Sequence, residues 1–171
     1  ALESWNITYT GIAAHAAAAP WDGRNAFNGA RLFFDALDMM RQHVTPDVRM
    51  HGFITECGTV VNTVPDKASI HIELRAQSKP DLDKITERVR LCAAGAAAAT
   101  ETVMTFEKGE VSFASSLELE ALEEVVKSGF DRVGLEVAEK ERKGGASDVG
   151  NISWHCPTIQ PLLSIVDDAA V

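Results

Sequence analysis

The sequence predicts an α+β chain whose main body is a four-stranded antiparallel sheet carrying two helices on one face. Three observations carry that prediction. Residues 67–76 alternate strictly between apolar and polar side chains, the mark of a strand buried on one side only. Residues 25–43 switch to helical period, with a polar stripe at Arg24, Asn28, Arg31, Asp35, Asp38 and Gln42 opposite a wide apolar side. The periodic segments then follow in the order strand, helix, strand, strand, helix, strand.

Each element has its own reason. Ser4–Thr10 places Trp5, Ile7 and Tyr9 on one face and Asn6, Thr8 and Thr10 on the other, a half-buried strand. The helix over 25–43 presents Phe27, Ala30, Phe33, Phe34, Leu37 and Met40, and Thr45-Pro46-Asp47 ends it. Val48–Glu56 reads as a second strand, weakened by Gly52. Lys67–Ala76 is the clearest strand: Ala68, Ile70, Ile72, Leu74 and Ala76 face one way, and Lys67, Ser69, His71, Glu73 and Arg75 the other. Ser78-Lys79-Pro80-Asp81 supplies a capping residue and a first-turn proline for a helix on Leu82, Ile85, Val89 and Cys92. Glu101–Phe113 is an extended segment with an expected interruption near Lys108-Gly109. A βαββαβ order is the ferredoxin-like pattern, in which one sheet face is covered by both helices.

After Ser115-Ser116 the character changes. Leu117–Val133 is an amphipathic helix on Leu119, Leu122, Val126 and Phe130, ended by Gly134, and Leu135–Ala138 could form a short strand. A boundary falls near 114–116. The remaining ~55 residues are few for an independent core.

Composition limits the function. With 46% hydrophobic and 24% charged residues the chain is of soluble globular type, and its net charge of −9 argues against nucleic-acid or anionic-membrane partners. No apolar run reaches spanning length, and no signal-peptide pattern opens the sequence. The three cysteines, Cys57, Cys92 and Cys156, suit reduced core thiols of a cytoplasmic protein rather than a disulfide framework.

The chemistry centres on Gly11–Asn25, where one imidazole, His15, sits among alanines between Gly11 and Pro20. Taken alone, such a histidine is more often structural than functional. Asn62 stands among valines in the loop before the clearest strand, and Arg75, near its end, offers a planar fork for a carboxylate. Together they suggest an anion or oxyanion clamp without a catalyst. His71 and Glu73 share a strand face and could share an ion, but solvated polar residues are the better reading. Glu123-Glu124 lies in an ordinary amphipathic helix. No metal-ligand set, nucleophilic triad or phosphate loop stands out.

The segments Gly11–Ala26, Asn62-Thr-Val-Pro65-Asp66 and Glu73-Leu-Arg75-Ala76 resemble the lid, or dimerisation, domain of M20 metallopeptidases, in the amidohydrolase branch with aminobenzoyl-glutamate hydrolases and dipeptidases. Gly145–Pro161 is similar to the part of that branch's catalytic domain that follows the lid. The resemblance implies residues 1–114 as lid and 115–171 as a partial α/β catalytic segment. It implies a homodimeric parent that hydrolyses the amide bond of a small N-acyl-amino-acid or dipeptide substrate with a free carboxylate, using a divalent metal, zinc by expectation. His15 would reach the partner subunit's active site and stabilise the oxyanion, and Asn62 and Arg75 would hold substrate. The family's His-x-Asp metal motif is missing, since His15, His43, His51, His71 and His155 are followed two residues on by Ala17, Thr45, Phe53, Glu73 and Pro157. The expectation is a fragment that binds no metal and is inactive by itself. The alternative is a non-catalytic ferredoxin-like dimerisation or binding module.

Overall fold

The computed structural model describes residues 1–137 and 146–162. The chain forms two compact units, Ala1–Ser112 and Phe113–Val171. In the first, β1 (Leu2–Thr10), α1 (Ala26–Met40), β2 (Arg49–Cys57), β3 (Lys67–Arg75), α2 (Lys79–Thr100) and β4 (Val103–Phe113) follow in the expected order. The sheet order is β2-β3-β1-β4, and it is antiparallel. β1 runs beside β3 from Leu2↔Arg75 to Thr10↔Lys67, and β2 beside β3 from Arg49↔Arg75 to Cys57↔Ala68. β2 is therefore an edge, and its ladder slips by one residue between Ile54 and Glu56.

Local signals set the helix ends. The Asn25 side chain accepts the Phe27 N–H at 2.9 Å, and the Ser78 hydroxyl accepts the Asp81 N–H at 3.2 Å, so each helix begins on a satisfied cap. α2 ends on Glu101, held in the left-handed region at φ 52°, a position that usually favours glycine. Its carboxylate meets the Arg24 guanidinium at 2.5 Å, which ties the end of α2 to the loop after β1.

The core lies between the sheet and both helices. Ile7 and Tyr9 of β1 and Ala68, Ile70, Ile72 and Leu74 of β3 bury against Ala30, Phe33 and Leu37 of α1 and Leu82, Val89 and Ala93 of α2. The buried Tyr9 hydroxyl donates to the Ala93 carbonyl at 3.0 Å, and burial pushes its pKa far upward. Phe27, expected on the apolar side of α1, is instead 38% exposed. The strand expected to break near Lys108-Gly109 runs through without interruption. A Cβ on Gly109 would lie 2.3 Å from the Ser4 hydroxyl oxygen, so this glycine permits close strand packing rather than ending it.

Glu3 is the unexpected core residue. It shares a face with Trp5, Ile7 and Tyr9 and is only 2% exposed. Its carboxylate accepts from Lys108 at 2.7 Å and pairs with Lys79 at 3.2 Å. β4 and the start of α2 are thereby joined to β1 through one buried charge.

The second unit contains α3 (Glu120–Arg132) and the short α4 (Val149–Ser153). Residues 135–137 carry no strand, and residue 138 lies outside the described residues. The amphipathic α3 has no fully buried residue; Leu119, Leu122, Val126 and Phe130 are half-buried. All three cysteines are free, but Cys57 and Cys156 are exposed and only Cys92 is half-buried, so they are not core thiols. Among the described residues, no helix is long and apolar enough to cross a membrane.

Candidate functional site

Two loops meet at one end of the sheet, and backbone hydrogen bonds lace them together. Gly11 N–H donates to the Asp66 carbonyl at 2.8 Å, Val64 N–H to Ala14 at 2.8 Å, and Ala16 N–H to Asn62 at 2.9 Å. His15 forms an isolated antiparallel bridge with Thr63, and Ile12 forms one with Arg24. His15 and Asn62, 47 residues apart in sequence by their numbers, therefore stand side by side, each on an exposed backbone position. Neither loop is a free tether, because each is the other's hydrogen-bonding partner.

The imidazole has a defined orientation. Its Nδ1 accepts the N–H groups of Ala17 and Ala18 at 3.2 and 3.1 Å. An Nδ1 that accepts leaves the proton of the neutral ring on Nε2. The ring thus presents a donor outward, and Ala13, Ala16, Ala17 and Ala18 around it keep the approach clear. Val60 and Val61, next to Asn62 in sequence, are exposed.

Gly11 makes this geometry possible. A Cβ there would fall 1.9 Å from the Arg24 carbonyl oxygen, a backbone atom that cannot swing aside. Gly11→Ala is expected to destabilise the chain by about 1–3 kcal/mol and to loosen the loop bearing His15. A lower urea midpoint together with weakened amide protection at Ile12 and Ala16 would show it; an unchanged midpoint would mean the loop relaxes freely.

Arg75 is elsewhere. β3 runs from Lys67, beside the His15 loop, to Arg75, and eight antiparallel steps span about 27 Å. The structure brings His15 and Asn62 together and separates Arg75 from both by the length of the strand. Around Arg75, on the sheet face not covered by helices, the Glu73 carboxylate lies 3.1 Å from His51 Nε2 and 3.5 Å from a terminal nitrogen of Arg75. His71 instead turns its Nδ1 to the Asn6 side-chain oxygen at 2.8 Å. His71 and Glu73 thus have different hydrogen-bond partners, although both line one shallow hollow with His51 and Phe53. The Arg75 Nε is buried without a hydrogen-bond acceptor among the described residues. Directly across the ladder stands Arg49, which no sequence motif marks. Its one signal is the position itself, at the start of the strand that pairs with the end of β3.

Among the described residues, no group of three or more His, Cys, Asp or Glu could hold a metal ion. The donor set of the described residues does not fit a catalytic metal. In the second unit, Ser147 donates to the Gln160 side-chain oxygen at 3.1 Å, at the edge of an open cleft of about 500 Å³ lined partly by Leu117, Leu119, Val149 and Ile159.

Residues 2–101 match the family model described as the peptidase dimerisation domain. The chain is 30% identical to the mouse Xaa-Arg dipeptidase over 167 residues, covering 95% of this chain and 39% of the relative. It is 34% identical to a p-aminobenzoyl-glutamate hydrolase polypeptide from Escherichia coli K12 over 120 residues, 68% of this chain and 24% of that protein. The aminobenzoyl-glutamate utilization protein of Klebsiella pneumoniae superposes with a TM-score of 0.72 at 26% identity, over 88% of this chain and 39% of the other. The chain thus spans less than two-fifths of the length of these relatives. The match over residues 2–101, which takes in β1, β2, β3 and both helices, places the chain in the M20 peptidase and amidohydrolase family as a bearer of its dimerisation domain.

Proposed function

We propose that this chain is the lid and a piece of the catalytic domain of a homodimeric, cytoplasmic M20 amidohydrolase that cleaves the amide bond of a small N-acyl-amino-acid or dipeptide substrate bearing a free carboxylate. The observation that carries the reading is the imidazole of His15, with Nδ1 satisfied by two backbone amides, Nε2 presented outward, and Asn62 alongside. Attack of water on an amide carbonyl turns its oxygen into an anion. A preoriented donor aimed at that oxygen is worth about 3 kcal/mol of barrier. Nε2–H of His15 is such a donor, and Asn62 adds amide hydrogen-bonding capacity beside it. Family members are metal-dependent. The metal, zinc in this reading, belongs to the part of the parent outside this chain, where it would polarise the carbonyl and activate the water.

The strand length constrains how the groups share their work. A small substrate cannot touch His15 and Arg75 of one chain across about 27 Å of strand. In a two-fold dimer the His15 end of one lid can serve the centre whose carboxylate is held by Arg75 of the other. Arg75 then acts for its own chain, and His15 and Asn62 act for the partner. The half-buried apolar stripe of α3 fits a unit completed by further catalytic-domain residues.

Mixing tests the arrangement. In the full-length parent, His15→Ala and Arg75→Gln chains are each expected to be nearly inactive. An equal mixture that exchanges subunits should recover about a quarter of wild-type activity, because half the dimers carry one intact centre of two. No recovery, with exchange verified by mass-tagged subunits, would mean that His15 and Arg75 of the same chain serve the same centre and would overturn the arrangement.

A further inference from the structure

Arg49 and Arg75 stand directly opposite one another at the open end of the β2–β3 ladder. Like charges in that position weaken strand pairing, so the pair does nothing for the sheet. The acidic groups nearby do not quench it. Glu73, two residue pairs further along, is divided between His51 at 3.1 Å and Arg75 at 3.5 Å. Asp47 is occupied by the Gln77 backbone N–H at 3.1 Å and by Thr45. Arg49 gives one terminal nitrogen to the carbonyls of Pro46 and Val48. Its Nε and second terminal nitrogen have no acceptor among the described residues, and the Arg75 Nε is buried and unpaired. Arg75 thus has only the divided Glu73 carboxylate, the exposed Arg49 pairs with backbone carbonyls alone, and donors are left over on both.

We propose that Arg49 is the second arm of the substrate-carboxylate site, working beside Arg75. The inference rests on the reading of Arg75 as a carboxylate holder and adds a residue to it. A carboxylate has two oxygens and about four lone-pair sites, enough to accept from two guanidiniums at once. Placed between Arg49 and Arg75 it would replace their repulsion with two charge-assisted contacts. The pair also accounts for selection of an acid over its neutral amide, because a carboxamide offers no charge for either guanidinium to pair.

The test uses the full-length parent and two substrates, an N-acyl amino acid and its C-terminal carboxamide. Wild type should favour the acid by 100-fold or more in kcat/KM. Arg49→Gln should lower kcat/KM for the acid by about 10–100-fold, chiefly through KM, and leave the carboxamide unchanged. Arg49→Lys, which keeps the charge and loses the fork, should give an intermediate ratio, and it supplies a measurement if Arg49→Gln folds poorly. Equal losses on both substrates, or no loss on either, would overturn the role of Arg49. Arg75→Gln separates the two readings. If it collapses the acid-to-carboxamide ratio while Arg49→Gln leaves it intact, only the second arm fails; if it leaves the ratio at the wild-type value, the reading of Arg75 fails as well.

Discussion

Replacing His15 by alanine in the full-length parent is expected to lower kcat about 10²–10³-fold while KM moves less than about threefold. The ring is exposed and contributes no core packing, so its removal costs little stability. The two amides of Ala17 and Ala18 that it satisfies are themselves exposed and can turn to water. What disappears is a donor in place before the negative charge develops, and such a group acts in the transition state rather than on the ground-state carbonyl. Steady-state kinetics on purified variants decide it. His15→Gln, which keeps a donor without the ring, should fall between wild type and alanine. A rise in KM at constant kcat would make His15 a simple binding group, and unchanged kinetics would remove it from the site.

The second large effect concerns the buried Glu3. Lys79→Met or Lys108→Met alone is expected to cost under about 1 kcal/mol, because the remaining ammonium still neutralises the carboxylate. Both together should cost about 3–5 kcal/mol, since they leave an uncompensated charge in the core. Urea unfolding of the single and double variants measures this coupling. Additive, small effects would mean that the carboxylate is satisfied without its lysines. Burial lowers the pKa of Lys79, but its bonds to Asp83 and Glu3 outweigh that and raise it above its ordinary 10.5. The sign follows: the stabilisation is fully present below pH 10.5 and is lost as pH rises through the higher folded value.

The fold was legible where one local rule acted alone. The alternation in 67–76 and the Ser78-Lys79-Pro80 start signal became β3 and the cap of α2 almost to the residue. Glu3 was legible in principle, since extending the Trp5–Ile7–Tyr9 alternation back by two positions puts it on the buried face. It was missed because a carboxylate argues against a core position until its lysines are known, and Lys79 and Lys108 are far away in sequence. Gly109 looked like a break because sequence shows the missing side chain but not the Ser4 hydroxyl that fills the space. The pairing of the His15 and Asn62 loops could not be read, because it rests on backbone hydrogen bonds that carry no side-chain signature. The distance to Arg75 could have been, since a nine-residue strand between Asn62 and Arg75 sets its own length. Arg49 needed the register of β2 against β3, which no single strand reveals.

The open side of β2 also bears on colloidal behaviour. Arg49–Ile54 offers unpaired backbone groups with Phe53 exposed among them, and such an edge pairs with whatever strand it meets. The slip between Ile54 and Glu56 sets how far pairing can propagate: a neighbouring strand can zip along the first six residues, and beyond them the ladder loses alignment. The same irregularity that interrupts the ladder thus works as a stop codon for sheet growth along this edge.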